Sequence, residues 1–234
     1  MAHGSRDPRA AAAVEALLDR VRRRRPGLEV RSAYLDHGPP TLGQALHGLR
    51  EAVVLPLLLT EAYHSRVDLP AALAEARARD ARLRVRYGTT LGPHPLLLDA
   101  LDRRLAEAGV ATGDPGTAVV LVSAGSSDAR ANAVVAALAR DWGRRSGWWA
   151  VTPAYASAAG PTPAEAVAAL RAAGAPRVAV APYLLAPGFF ADKVRRGAGA
   201  DVVSDVLGPA PELVEVLLER YELALRAEPA AVPA

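Results

Sequence analysis

The same ordered set of short motifs occurs twice along this chain of 234 residues. The matched pairs are AHGSRD at 2–7 with SAGSSD at 123–128, Tyr34, Pro40 and Thr41 with Tyr155, Pro161 and Thr162, LPLLLTEAYH at 55–64 with APYLLAPGFF at 181–190, and LGPHPLL at 91–97 with LGPAPEL at 207–213. The offset between partners changes little, from 121 residues (3 to 124) to 126 (64 to 190) and 116 (91 to 207). The chain is therefore expected to contain a duplicated folding unit.

Helices and strands alternate along each copy. The run 53–59 has no polar residue, which is typical of a strand buried on both faces of a sheet, although Pro56 suits the start or edge of a strand. The predicted elements of the first copy are helices at 9–25, 42–51, 70–79 and 96–108 and strands at 29–35, 53–59 and 83–88. This alternation predicts an α/β fold with two tandem doubly wound domains and parallel sheets. The predicted boundaries are 1–111 and 117–227, with a linker at 112–116 and a tail at 228–234.

The two copies differ at their start. SAGSSD follows an apolar strand predicted at 117–122, whereas only Met1 and Ala2 precede His3 in the first copy. Either the opening strand of the first domain lies upstream of this sequence, or the first domain lacks it. In the second case we expect His3 to be poorly anchored.

Composition excludes several kinds of site and partner. The chain has no cysteine, so any metal must be held by histidines and carboxylates. The net charge of +3 comes from arginine, but no nucleic-acid reader motif is present. No apolar run reaches the ~20 residues of a membrane span, and residues 1–9 are charged where a signal peptide would be apolar. We expect a cytoplasmic monomer or homodimer with neither nucleic-acid nor membrane partners.

The comparison of the copies separates residues kept for the fold from residues kept for chemistry. A residue needed only by the fold should appear in both copies, but the metal-capable side chains of the first copy do not. His3 faces Ala124, Asp36 faces Ser157, His64 faces Phe190, and His94 faces Ala210. Ligands bind beyond the carboxyl ends of parallel strands, where these loops are predicted. We therefore predict a site in the first copy and a structural or substrate-covering role for the second.

If His3, His64 and Asp36 together bind a Co, Ni, Fe or Zn ion, they leave open coordination positions on the metal for a substrate. Asp36 also lies before a Gly-Pro-Pro sequence, where an aspartate is commonly a turn former. Arg6 suits an anion, and Asp7 is expected to cap the first helix. Further candidates for substrate binding share the His64 loop, namely Glu61, Tyr63, Ser65 and Arg66. We predict that His37 is a loop residue, that His47 lies on the face of a helix, and that His94 has a structural role.

Four stretches together carry a family signature: AHGSRDP, YLDHGPPTL, LPLLLTEAYHSRVDLP and LGPHPLLLDAL. They resemble the sirohydrochlorin chelatases of the CbiX type, small class II chelatases that insert a divalent metal into a tetrapyrrole. The resemblance extends over the second copy, with SAGSSD and PYLLAPGFFADKV, as in the long two-domain members. It implies two tandem chelatase-like α/β domains.

The resemblance also implies roles for individual residues. His3 and His64 would bind the metal, and Asp36 would lie nearby at a position where the family more often has Glu. The implied reaction inserts Co²⁺ or Fe²⁺ into sirohydrochlorin for cobalamin or sirohaem, with the metal as a substrate and no organic cofactor. These ligand types also accept Ni²⁺.

Two other classes of protein remain open at this point. One is a catalytically weak or inactive protein that binds metal or tetrapyrrole, which the short start of the first copy favours. The other is a periplasmic-binding-like ligand module, which the charged residues 1–9 disfavour.

Overall fold

A computed structural model of the chain describes residues 1–60, 73–75, 78, 80 and 82–227. Its helices are α1 Pro8–Arg24, α2 Leu42–Leu46, α3 Pro95–Glu107, α4 Ala129–Arg145, α5 Pro163–Ala172, α6 Phe189–Gly197 and α7 Pro211–Arg226. Its strands are β1 Glu51–Val54, β2 Arg84–Tyr87, β3 Thr117–Ser123, β4 Ala150–Tyr155, β5 Arg177–Pro182 and β6 Val202–Val203. The predicted α/β alternation is confirmed. None of the described helices is long and apolar enough to cross a bilayer.

The chain forms two compact units that exchange their final helices. The first unit contains Met1–Gly92 with Pro209–Ala234, and the second contains Pro93–Gly208. The helix that ends the first repeat, α3, packs on β5 in the second unit, and α7 packs on α1, β1 and β2 in the first. The compact units therefore have other bounds than the predicted repeats 1–111 and 117–227 with their linker at 112–116, and that division of the chain stays a prediction. Amphipathic periodicity shows that a helix needs an apolar partner but does not specify which sheet supplies it.

The second unit has a four-stranded parallel sheet in the order β4-β3-β5-β6. Its central strand β3, with the sequence TAVVLVS, is buried along its whole length and pairs with β4 on one side and β5 on the other. A continuous apolar run is what burial on both faces of a parallel sheet requires. The winding direction reverses between β3 and β5, and sheets of this kind bind ligands at the carboxyl edge beside such a reversal.

The first unit keeps only the end of the corresponding central strand among its described residues. β1 and β2 pair in parallel, from Glu51↔Arg84 to Val54↔Tyr87. Residues Met1 and Ala2, here called the stub, lie beside residues 55–57, directly after β1. Ala2 forms a single parallel bridge with Tyr34. One core cluster of this unit contains apolar residues of α2, β1, β2 and neighbouring segments, namely Ala33, Leu42, Ala45, Leu46, Val54, Leu73, Leu83 and Val85.

Main-chain hydrogen bonds repeat between the two units, which confirms the duplication. The matched pairs are Leu35 N to Ala2 O (3.1 Å) with Ala156 N to Ser123 O (2.9 Å), Tyr34 N to Pro40 O (2.9 Å) with Tyr155 N to Pro161 O (2.9 Å), Leu57 N to Met1 O (2.7 Å) with Tyr183 N to Val122 O (2.7 Å), and Leu91 N to Leu58 O (2.9 Å) with Leu207 N to Leu184 O (2.9 Å). The partners keep the offsets predicted from the motifs.

Helix starts repeat as well, because the same polar side chains satisfy the free N–H groups of the first turn. The Asp7 carboxylate accepts a hydrogen bond from the N–H two residues later at the start of α1, and Asp128 does so at α4. Thr41 and Thr162 each form a capping box with the third residue of α2 and α5. The prediction that Asp7 caps the first helix is confirmed.

Three predicted elements of the first copy differ from the structure. The strand predicted at 29–35 forms only two isolated bridges at Tyr34, to Ala2 and to Thr41. Its counterpart β4 pairs with β3, and of that partner the stub supplies just the end. The helix predicted at 42–51 ends at Leu46. The strand predicted at 53–59 is β1, which ends at Val54, before Pro56, whose ring nitrogen cannot donate to a ladder. Most of the helix predicted at 70–79 lies outside the described residues.

Candidate functional site

His3 lies at the carboxyl edge of the first unit, directly after the stub. Four main-chain hydrogen bonds hold the stub between its neighbours: Ala2 N to Ala33 O (2.8 Å), Leu35 N to Ala2 O (3.1 Å), Met1 N to Leu55 O (2.6 Å) and Leu57 N to Met1 O (2.7 Å). Burial lowers the pKa of the Met1 amine to about 5. His3 is half-buried and follows the stub at the point that corresponds to the winding reversal in the second unit. This is the expected position of a ligand site in an open parallel sheet.

The loop that carries Asp36 touches the His3 loop through the main chain. The Asp36 N–H donates to the His3 carbonyl at 2.9 Å. Gly4 has φ +97°, and a Cβ added there would lie 1.8 Å from the Asp36 carbonyl oxygen. The Asp36 carbonyl comes so close to the residue after His3 that only glycine fits there, because glycine lacks a Cβ and tolerates positive φ. The structure thus brings the loops of His3 and Asp36 together, and Asp36 itself is exposed.

The third predicted ligand, His64, lies outside the described residues, as do Glu61, Tyr63, Ser65 and Arg66. The segment that leads into their loop is described. Leu57 donates to Met1, and Leu91 donates to the Leu58 carbonyl at 2.9 Å. Residues 57 and 58 therefore lie next to the stub and to Leu91, and Thr60, four residues before His64 in the sequence, is half-buried.

Other sequence candidates near this edge have mainly structural contacts. The Asp7 carboxylate accepts hydrogen bonds from the Arg9 guanidinium and main chain, which lower its pKa. Arg6 and His37 are exposed, and His37 has φ +62°. His47 is the C-terminal cap of α2. His94 caps α3, with its Nδ1 accepting from the Leu96 N–H at 3.2 Å, so its predicted structural role is confirmed.

No group of three or more His, Asp or Glu side chains close enough to hold a metal ion is present in the part of the chain that the structure describes. His3 and Asp36 can contribute an imidazole and a carboxylate, which suit first-row divalent metals. A complete site needs at least one further ligand.

The second unit keeps the same main-chain frame without these side chains. A Cβ added at Gly125, with φ +85°, would lie 1.9 Å from the Ser157 carbonyl oxygen. The Ser157 N–H and hydroxyl both donate to the Ala124 carbonyl at 2.9 Å. At this edge the second unit therefore has small side chains where the first has His3 and Asp36.

Two positioning residues were missed from the sequence. Arg220 on α7 donates from Nε to the Thr90 carbonyl at 3.0 Å and from Nη2 to the Leu91 carbonyl at 3.3 Å. Arg104 on α3 likewise donates to the Leu207 carbonyl, from its Nε at 3.2 Å and from its Nη2 at 2.7 Å. Each arginine holds the LGPxP turn of the unit into which its helix is exchanged. Their offset of 116 residues (104 to 220), equal to that of the turns, was the available signal.

Lys193 was also missed as a positioning residue. Its Nζ donates to the Ala156 carbonyl at 2.7 Å and thereby braces the loop next to Ser157. The sequence signal was that Lys193 is the only lysine in the chain.

The fold and the edge described above define a tandem α/β protein with a candidate metal site in one of its two copies. The profile of the CbiX family matches residues 1–108 and again residues 118–224. The chain belongs to the CbiX family.

Curated relatives and solved structures agree with this membership. The chain is 27% identical over 215 residues to a sirohydrochlorin cobaltochelatase of Priestia megaterium, covering 85% of this chain and 70% of that protein. It is 26% identical over 198 residues to a sirohydrochlorin ferrochelatase of the same organism, covering 82% and 74%. SirB from Bacillus subtilis with Fe³⁺ has the same fold, with a TM-score of 0.79, 24% identity, and coverage of 96% and 93%.

Proposed function

We propose that the protein is a sirohydrochlorin chelatase that inserts Co²⁺ or Fe²⁺ into the tetrapyrrole. Membership of the CbiX family over both repeats carries this proposal, since curated relatives are named sirohydrochlorin cobaltochelatase and ferrochelatase. The contact between the His3 and Asp36 loops supports it, because a metal-binding imidazole and a carboxylate reach the same sheet edge.

The reaction exchanges two protons for one metal ion. The two pyrrole N–H bonds break, four bonds from the ring nitrogens to the metal form, and two protons leave. Under the proposal His3 and His64 hold the incoming metal, which is a substrate, and Asp36 accepts a departing proton. No electron changes hands, so the step requires no organic cofactor.

The remaining site residues are proposed to bind the tetrapyrrole. Its carboxylates match the guanidinium groups of Arg6 and Arg66, which can form paired charge-assisted hydrogen bonds. Glu61, Tyr63 and Ser65 are within three residues of His64 in the sequence and would contact the ring or its substituents. The product would enter cobalamin or sirohaem synthesis, according to the metal inserted.

A second candidate function is binding of metal or tetrapyrrole with little or no turnover. The contact between the His3 and Asp36 loops supports it as well, because an imidazole and a carboxylate at one edge can bind a metal without transferring it. The two candidates differ in rate and not in what they bind.

The test is the absorption change of sirohydrochlorin after addition of Co²⁺ or Fe²⁺, with and without the protein. A chelatase should raise the rate well above that of metal and substrate alone, and the ratio of the two metal rates identifies the preferred metal. His3→Ala and His64→Ala should each lower the protein-dependent rate by about 100-fold, since each removes a ligand of the transferred metal. His47→Ala, at an exposed helix end, is the matched control and should keep the wild-type rate.

Two outcomes would contradict parts of the proposal. A wild-type rate equal to the background with both metals, together with retained binding of sirohydrochlorin, would replace the enzyme by the binding protein. An unchanged rate in His64→Ala or His3→Ala would remove that histidine from the site and leave the proposed reaction standing.

A further inference from the structure

One asparagine side chain holds the loop SAGSSD at 123–128 in the second unit. Asn132 is the fourth residue of α4, and its Oδ1 accepts a hydrogen bond from the Ser126 N–H at 3.0 Å. Its Nδ2 donates to the Ser126 carbonyl at 2.7 Å. We call this pair of hydrogen bonds the amide clamp. It ties both main-chain groups of Ser126 to the helix that follows.

The equivalent loop of the first unit, AHGSRD at 2–7, has the same local geometry. The Ser5 hydroxyl accepts from the Asp7 N–H at 3.1 Å, just as the Ser126 hydroxyl accepts from the Asp128 N–H at 3.0 Å. The glycine before each serine has positive φ, +97° in the first unit and +85° in the second. The main chain of Ser5 therefore corresponds to that of Ser126.

The first unit has no side chain that can form the amide clamp at this position. At the repeat offset of 121 residues (11 to 132), the counterpart of Asn132 is Ala11, the fourth residue of α1. A methyl group neither donates nor accepts a hydrogen bond. In the part of the chain that the structure describes, the N–H and the carbonyl of half-buried Ser5 form no hydrogen bond. Both groups are therefore open, two residues after His3.

The chemistry of this opening suits a carboxylate that also contacts Arg6. A main-chain N–H that binds an amide oxygen in one copy can bind a carboxylate oxygen in the other, with a stronger, charge-assisted hydrogen bond. The Ser5 carbonyl repels a second carboxylate oxygen, so that oxygen must turn away from it. Arg6 is exposed and pairs with no carboxylate among the described residues. Its guanidinium is the adjacent cation for the second oxygen.

Neighbouring negative charges are offset. The Asp7 carboxylate is paired with the Arg9 guanidinium at 2.6 Å. Asp36 lies on the loop that contacts His3, where the metal substrate of the proposed reaction carries two positive charges. A carboxylate at Ser5 thus meets a net positive surrounding, and it holds its ligand at the same sheet edge as the metal.

We propose that the Ser5 N–H and the Arg6 guanidinium together bind one carboxylate of the tetrapyrrole, and that Ala11 is the specificity-determining residue that keeps this position open. The inference rests on the proposed function, since it names where a carboxylate of that substrate binds. In the second unit Asn132 fills the same position with its own amide and closes it to a carboxylate. Ala11 lies outside the motifs that the two copies share, so the motifs alone do not reveal this difference.

The main test is Ala11→Asn, which gives the first unit the amide clamp of the second. The Kd for sirohydrochlorin, measured by its absorption with no metal added, should rise at least about 10-fold, because the carboxylate loses a charge-assisted hydrogen bond. The Kd for Co²⁺ in the absence of tetrapyrrole should stay within about twofold, since the frame around His3 is kept. Ala12→Asn is the matched control, because it adds the same side chain at the next exposed position of α1.

Hydrogen exchange checks that the new amide clamp forms. The Ser5 amide should exchange at least about 10-fold more slowly in Ala11→Asn, because it gains an acceptor. The reverse change, Asn132→Ala, should speed exchange of the Ser126 amide by a similar factor. This readout needs no ligand, and it shows that Ala11→Asn is folded with the clamp in place.

A double-mutant cycle tests whether Ser5 and Arg6 bind the same carboxylate. Arg6→Gln should raise the Kd for sirohydrochlorin by about 10-fold. The double variant Arg6→Gln, Ala11→Asn should raise it by clearly less than the product of the two single effects, because each change removes a partner of one group.

Three results would overturn this inference alone. A slowed Ser5 amide with an unchanged Kd for sirohydrochlorin in Ala11→Asn shows that the Ser5 N–H binds only water. An unchanged Ser5 amide shows that position 11 does not correspond to Asn132. Multiplicative effects in the double variant show that Ser5 and Arg6 contact different groups. A wild type that binds no sirohydrochlorin would instead overturn the proposed function and this inference together.

Discussion

The carboxyl edges of the two units share one main-chain frame and differ in their side chains. In both units a glycine with positive φ lies against a carbonyl from the neighbouring loop, that of Asp36 in the first and Ser157 in the second. The same N–H to carbonyl hydrogen bond links the loops at 2.9 Å in each unit. The frame alone therefore does not define the chemistry, and the side chains proposed to carry it, His3 and Asp36, occur at the edge of the first unit only.

The largest effect is expected where the shared frame is broken. Gly4→Ala and Gly125→Ala should each lower the free energy of unfolding by about 3 kcal/mol or more, since the added Cβ meets a carbonyl and the φ angle is strained. Urea unfolding followed by circular dichroism measures both. Gly27→Ala and Gly197→Ala are controls, because a Cβ there meets nothing within 4 Å. If only one of the two frame variants is destabilised, the edges are not equivalent.

The next effect separates chemistry from frame. Asp36→Asn should lower the chelatase rate by about 100-fold through loss of the proton acceptor and leave the unfolding midpoint almost unchanged, since the side chain is exposed. Ser157→Ala should do the reverse: it removes the hydroxyl bond to Ala124, costs about 1 kcal/mol of stability, and keeps the rate. Rate and urea midpoint are measured on both proteins. A rate lost in Ser157→Ala would place chemistry in the second unit.

A smaller effect is expected at the paired arginines. Arg104→Ala and Arg220→Ala each remove a guanidinium that donates to carbonyls of an LGPxP turn, and both side chains are mostly buried, with exposed fractions of 17% and 16%. Each change should cost about 2 kcal/mol in thermal or urea unfolding. Arg130→Ala, where the guanidinium is 80% exposed, is the control. Unequal losses would show that the two exchanged helices are held differently.

The smallest effect concerns a position at which the exchanged helices differ. Asp102 on α3 has Leu218 as its counterpart on α7, at the offset of 116 (102 to 218). Burial raises the Asp102 pKa to about 6, against a smaller opposing effect of the hydrogen bond from Trp142 Nε1. Because the folded state favours the protonated acid, this stabilisation is present below about pH 4 and is lost as the pH rises through 6.

The free energy of unfolding of the wild type should therefore fall by about 1 to 2 kcal/mol between pH 4 and 7 relative to that of Asp102→Asn. This is less than the full pKa shift would give, because the Asp102 side chain is partly open to solvent. Asparagine keeps an acceptor for Trp142 but does not titrate. Urea unfolding of both proteins across this pH range gives the difference. Parallel pH profiles would mean that Asp102 titrates alike in the folded and unfolded chain.

Local sequence signals predicted much of this molecule. The matched motifs located the repeat and both edges, because turns and caps depend on a few neighbouring residues such as Asp7 and Thr41. The comparison of copies drew attention to His3 and Asp36, whose loops the structure brings together. These features depend on short-range chemistry, which a sequence displays directly.

The features that could not be predicted depend on distant partners. The segment 29–35 has the composition of a strand, but a strand needs a ladder, and the stub provides one bridge. The exchange of α3 and α7 depends on which sheet each helix meets in three dimensions. The ligand set involving His64 remains a prediction, since that loop lies outside the described residues.

The exchange of α3 and α7 sets the order in which the units can be completed during synthesis. The second unit is continuous from Pro93 to Gly208, so all its elements are present once residue 208 has emerged. The first unit waits for α7, which begins 119 residues after Gly92 (92 to 211). At ~5–20 residues per second this delay is on the order of ten seconds. During that time α1 lacks α7 as a packing partner, so the unit that carries the candidate metal site is the last to be completed.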